Sequence, residues 1–180
     1  MSTTVTTPDL RYPVGKFTYE GPFSEAKQRE LIQQIADAPA RMRAAVAGLN
    51  EAQLNTPYRD GGWTVRQVVH HIVDSHMNSY IRFRWTLTEN EPAIKIYDEK
   101  TWAELPDAKS APVELSLSLL NTLHARWVVL LLALTPEDWK RTLRHPEAGV
   151  MTLDRLLGLY AWHGRHHVAH VTALRERMGW

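Results

Sequence analysis

The 180-residue chain contains no cysteine, which excludes disulfides, thiolate zinc sites and cysteine nucleophiles together. Any transition-metal site must then be built from His, Asp or Glu. An excess of one charge is lacking too: 21 basic residues against 20 acidic leave a formal net charge of +1 with no run of like charge. Neither nucleic acid nor an anionic membrane surface is suggested as a partner. Met1 to Pro8 has Ser and Thr where a secretory leader would carry a basic start and a long apolar stretch, and no later run reads as reaching membrane-spanning length. A soluble, cytoplasmic protein is the expectation. There is no internal repeat and no low-complexity tract, and a hydrophobic share of 44% suits one domain over residues 1–180 with its own core.

Residues 9 to 23 mix aromatics with breakers, among them Tyr12-Pro13, Gly15, Phe17, Tyr19 and Gly21-Pro22, and read as an extended arm packed on the body, whose Tyr and Phe could also pack across a partner copy in a homodimer. Leu31, Ile35, Met42 and Val46 recur at near-helical spacing and predict a first helix over 24–48 with a kink at Pro39. Thr64-Val65-Arg66-Gln67 has the form of a capping box, flanked by Trp63 and Val68 as a hydrophobic staple, so a second helix starts there and runs to about Thr88. Pro92, Pro106 and Pro112 then punctuate a long connection, and connections of that length usually carry function or cross the bundle. Val113 to Leu134 predicts a third helix, Thr135 to Asp138 a short extra turn, and Thr152, with Met151 and Leu156 as staple, the cap of a fourth. Four long helices make an all-α four-helix bundle with an N-terminal arm.

The chemistry is concentrated in histidine. His163 and His167 stand four residues apart on the fourth helix, so both rings leave the same side and can share one cation. At about 100° per residue they fall in the same stripe as Leu156, Tyr160 and Leu174, with His170 nearby and His166 at the margin. A third ligand must come from elsewhere, and the other cluster, His70, His71 and His76, offers the best candidate. On the second helix His71 borders the core while His70 faces solvent; Ser75, Asn78 and Arg82 continue the row from His71, as expected for the polar lining of a cleft. His124 is centred among Leu117, Leu120, Trp127 and Leu131 on the third helix and points inward, as a partner behind the site or a proton-transfer group. The H-E-x-x-H pattern of zinc proteases is absent.

These residues resemble a known family. Leu54 to Arg59, Gly61 to His71, Asp74 to Asn78, Tyr160 to Gly164 and His166 to His170, joined by Arg11 to Gly15 and Trp102 to Asp107, are similar to the YfiT branch of the DinB superfamily over nearly the whole chain. The resemblance implies a four-helix bundle whose three metal ligands are His71, His163 and His167. It also implies one divalent ion per chain, zinc first and nickel second, a homodimer, and either metal-dependent hydrolysis or S-transfer from a low-molecular-weight thiol such as bacillithiol. Three neutral imidazoles leave such an ion its full charge and open positions, which lowers the pKa of a thiol or water there.

Three functions follow, with different expectations. A thiol transferase, the reading favoured here, predicts a cationic cleft in which Arg82 (alternatively Arg126 or Arg165) orients an acidic thiol and His124 assists as a catalytic group. A hydrolase predicts a carboxylate base at the open position, and no Asp or Glu is evident beside these histidines in the sequence. A non-catalytic metal-binding stress protein predicts a closed site with His124 or His170 as fourth ligand.

Overall fold

The long helices begin where side chains satisfy their first amides. In the computed structural model, which describes residues 9–180, Ser24 accepts from the Lys27 amide ahead of α1 (Glu25–Val46), and Thr152 accepts from the Arg155 amide ahead of α7 (Leu153–Met178). Thr64 and Gln67 form the reciprocal capping box of α3 (Val65–Thr88). The remaining long helix, α6 (Val113–Leu132), starts after Pro112 without a side-chain cap. Short helices fill the connections: α2 (Glu51–Leu54), then α4 (Glu99–Ala103) and α5 (Pro106–Ser110) between α3 and α6. The reading of Met1 to Pro8 lies outside the described residues.

One expectation is met and two are corrected. First, α1 runs as a single helix through Pro39, as expected. The missing proline N–H leaves the Ile35 carbonyl without its helical donor, and the buried His124 Nδ1 supplies a replacement at 2.6 Å. Second, the segment after α6 holds more than one turn. A 3-10 turn (Asp138–Lys140) leads into a hairpin of β1 (Thr142–His145) and β2 (Gly149–Thr152), with Thr142 opposite Thr152 and His145 opposite Gly149. Third, α6 is, by length and composition, long and apolar enough to cross a membrane. Its inner side packs in the bundle through Leu117, Leu120, His124, Trp127 and Leu131, while Leu115, Leu119, Val129 and Leu132 are exposed.

Both α1 and α3 pack against α6 and α7, so the ring order is α1, α6, α3, α7 and sequential helices α1 and α3 lie diagonally. One apolar cluster gathers Ile35, Phe83, Trp127, Leu156 and Leu157, and a second gathers Met42, Val68, Ile72, Leu120 and Val171. Along each long helix the change from one cluster to the other falls at Pro39 on α1, His76 on α3, His124 on α6, and His163 to His170 on α7. His76, His124 and the histidines of α7 thus form a layer across the middle of the bundle.

The arm lies against α7. Buried Asp154 accepts from Tyr19 Oη (2.9 Å), the Phe23 amide (2.9 Å) and Gln28 Nε2 (2.7 Å), and Trp162 Nε1 donates to the Gly15 carbonyl (3.0 Å). Gly158 makes room for the arm, since a Cβ there would stand 2.7 Å from the Phe23 ring.

Candidate metal centre and its cavity

α3 contributes His71 from its second turn and α7 contributes His163 and His167 one turn apart. Each can present a ring nitrogen within 4.8 Å of the other two. His163 Nε2 and His167 Nε2 are 3.2 Å apart, close to the roughly 3.3 Å expected between two nitrogens on a tetrahedral ion with Zn–N bonds of about 2.05 Å. The donor set also fits a divalent transition metal chemically. Burial, reinforced by neighbouring histidines, lowers the His71 pKa to about 4 and holds His163 and His167 well below the ordinary imidazole range. All three rings are therefore neutral, with their lone pairs available.

The triad opens on a cavity of about 710 Å³. Tyr12, Tyr58, Trp63 and Trp162 supply its aromatic walls, and Arg11, Arg59 and Lys100 its positive charge. Arg11 is paired with Asp9 at 2.9 Å, and Arg59 donates to the Asp60 carbonyl at 2.8 Å. Lys100 has no ion pair among the described residues. His166 stacks on Trp162 at 4.4 Å and lines the same cavity, and its buried Nδ1 has no partner among the described residues.

The structure brings together the predicted triad but not the predicted helpers. Arg82 is eleven residues beyond His71, about 16 Å along the helix axis, and is buried with its guanidinium toward the Lys95 carbonyl (3.3 Å) and Tyr160 Oη (3.5 Å). It does not line the cavity. Arg126 lies over the Tyr80 ring, and Arg165 bonds the Ala161 carbonyl beside another depression. His124 sits behind the site and reaches it only through His76, so it is neither a fourth ligand nor in contact with the cavity. His170 is likewise engaged, by the Arg11 carbonyl and His167. The closed, four-ligand arrangement expected of a non-catalytic protein is thus not formed by these two residues. His70 is buried rather than solvent-facing, with Ser116 Oγ at 2.7 Å and the Ala111 carbonyl at 3.2 Å, because the turn into α6 covers it.

Two carboxylates escaped the sequence reading. Glu99 and Glu104 line the cavity from the long connection. Lys109 holds the Glu104 carboxyl below its usual range, whereas partial desolvation raises that of Glu99, which is exposed at the cavity mouth. Asp98, which caps α4 by accepting from the Lys100 and Thr101 amides, is the local signal that could have located this helix. No sequence pattern indicates that it lines the same cavity as His71.

Comparison with known proteins bears on the family and the fold. The sequence profile of the DinB superfamily matches residues 34–171. A Bacillus mycoides (strain KBAB4) protein designated a candidate metal-dependent hydrolase is 58% identical over 172 residues, covering 96% of this chain and 99% of the relative. YfiT from Bacillus subtilis, described as a probable metal-dependent hydrolase with an unusual four-helix bundle topology, superposes with a TM-score of 0.93 at 52% identity, over 95% of this chain and 98% of YfiT. TT2238, a four-helix bundle protein, shares the fold alone at 20% identity and a TM-score of 0.56, over 81% of this chain and 98% of TT2238. With the superfamily profile matching residues 34–171 and the four-helix bundle of YfiT matched over 95% of the chain, the chain belongs to the DinB superfamily.

Proposed function

We propose that the protein is a metal-dependent enzyme in which His71, His163 and His167 hold one divalent ion, zinc first and nickel second, and a small acidic thiol is activated in the cavity for transfer to an electrophile. The observation that carries this reading is the convergence of three neutral imidazoles on the wall of a cavity large enough for a small molecule. A divalent ion there supplies Lewis acidity, lowering the pKa of whatever thiol or water is presented to it. The chain's own groups do the rest. Lys100 and Arg59 attract and orient an anionic substrate, Tyr58 and Trp63 exclude water from one side, and Glu99 receives the proton released at the mouth.

Hydrolysis is the second reading, and one observation favours it. Glu99, a carboxylate on the cavity wall with a raised pKa, can serve as the base that the sequence motifs did not show. The 58% identical relatives are also designated candidate hydrolases. Metal-loaded protein assayed with bacillithiol, glutathione or cysteine and a reporter electrophile, against generic esters and amides, separates the two. The expected result is metal-dependent conjugation that falls at least a hundredfold in His71→Ala and His163→Ala. Metal-dependent hydrolysis without conjugation, lost in Glu99→Gln, would replace the transferase reading by the hydrolase one.

The homodimer implied by the resemblance belongs to the same proposal. Its surface is the outer face of α6 rather than the arm, because the arm's aromatics are spent on the chain's own α7 and cavity.

A further inference from the structure

Two of the three triad rings are backed by buried histidines, and each backing series ends at a backbone carbonyl, which can only accept a hydrogen bond. On one side the end is Ile35 O, freed by Pro39, with His124 Nδ1 at 2.6 Å. His124 therefore carries its proton on Nδ1. A neutral imidazole has a single N–H, so His124 Nε2 is bare, and the proton in its 2.8 Å contact with His76 Nδ1 belongs to His76. By the same count His76 Nε2 is bare and accepts from Nδ1–H of His163 across 3.1 Å. On the other side His170 Nε2 donates to Arg11 O at 3.2 Å, leaving its Nδ1 to accept from Nδ1–H of His167 at 3.4 Å. His76, His124, His167 and His170 are all buried, and no carboxylate pairs with any of the five rings among the described residues, so each is held neutral. Both series end alike. The bare nitrogens of His163 and His167 are their Nε2 atoms, and these face each other across 3.2 Å with no proton left to share.

We propose that Pro39, His124 and His76 on one side, and His170 with the Arg11 carbonyl on the other, are positioning groups that lock His163 and His167 in the Nδ1–H tautomer, presenting two facing Nε2 lone pairs to a cation before any cation is bound. Because the proton of His167 stays on Nδ1, the overlapping cluster of His166, His167 and His170 does not take a second ion. The role of the lone pairs rests on the metal reading above, but the tautomers are a property of the apoprotein and are measured without metal.

The test is nitrogen-detected NMR of histidine-labelled apoprotein, with zinc affinity measured alongside. Wild type is expected to show protonated Nδ1 and bare Nε2 on both His163 and His167. An N–H on Nε2 of either ring overturns the proposal, even if zinc binds, in which case the metal reading survives alone. The expected tautomers without zinc binding would instead leave the relays standing and remove the metal reading. His124→Leu leaves the His76 proton free to move, and is expected to give an Nε2–H population on His163 and to weaken zinc binding about 10- to 100-fold. His124→Gln keeps a donor for Ile35 O and an acceptor for His76, and is expected to restore both. Unchanged tautomers and zinc affinity in a folded His124→Leu variant would refute the lock. Should that variant not fold, the wild-type spectrum decides.

Discussion

A histidine shut away from water takes up a proton reluctantly, and this chain depends on several that stay neutral. His124 is 1% exposed, and burial lowers its pKa to about 4, with its bond to the Ile35 carbonyl opposing the shift only in part. In the unfolded chain the same ring titrates near 6.5. Its contribution to stability is therefore complete above about pH 6.5 and is lost as pH falls toward 4, at about 1.4 kcal/mol per pH unit for each such ring. Denaturant unfolding of metal-free protein is expected to show stability falling across that window and less steeply in His124→Gln; a flat profile from pH 7 to 4.5 would contradict it. Residues that belong to a helix face were legible in the sequence. His71 at the core border and the His163–His167 pair are where helical geometry puts them. His70 was misread because helical angles do not reveal that the turn at Ala111 and Ser116 covers it. Arg82 was misread because a shared face does not mean a shared height. Glu99 was missed because the face it serves belongs to another element.

Elements were legible where a cap announces them. Thr64, Gln67 and Thr152 mark the true starts of α3 and α7, whereas strands of four residues are too short to show an alternating pattern, and β1 and β2 were overlooked. Pro39 lies inside the single helix expected over 24–48, and the carbonyl it exposes finds a side-chain donor. The seat of the arm on α7 is testable through Gly158, where the arriving Cβ of Gly158→Ala meets a rigid Phe23 ring at 2.7 Å. Overpacking of this kind costs about 1–3 kcal/mol. Chemical unfolding is expected to show that loss, and Gly158→Ala combined with Phe23→Leu to recover part of it; a single variant as stable as wild type would mean that the arm shifts freely.

At the scale of the molecule, the bundle was legible and its ring order was not, since periodicity gives each helix a buried face without naming the neighbour on it. The outer face of α6, with Val129 71% and Leu115 65% exposed, is expected to be covered by a second copy. Light scattering should give a dimer mass at micromolar concentration and a monomer for Leu119→Lys with Val129→Lys; a wild-type monomer would rule the assembly out. A different consequence follows from the placing of the triad. His71 and His163 stand on elements far apart in the sequence, in a chain with no cysteine to join them. On the proposed metal reading, an ion shared by α3 and α7 would join the two helices as a reversible staple, its strength set by concentration rather than by redox state. On that reading, free zinc at a hundredfold excess over its dissociation constant is expected to add about 2.7 kcal/mol to folding, worth roughly 5–10 °C in melting temperature for a domain of this size. A chelator should remove that increment from wild type and leave His71→Ala unmoved, so the protein's heat tolerance becomes a gauge of the metal available around it.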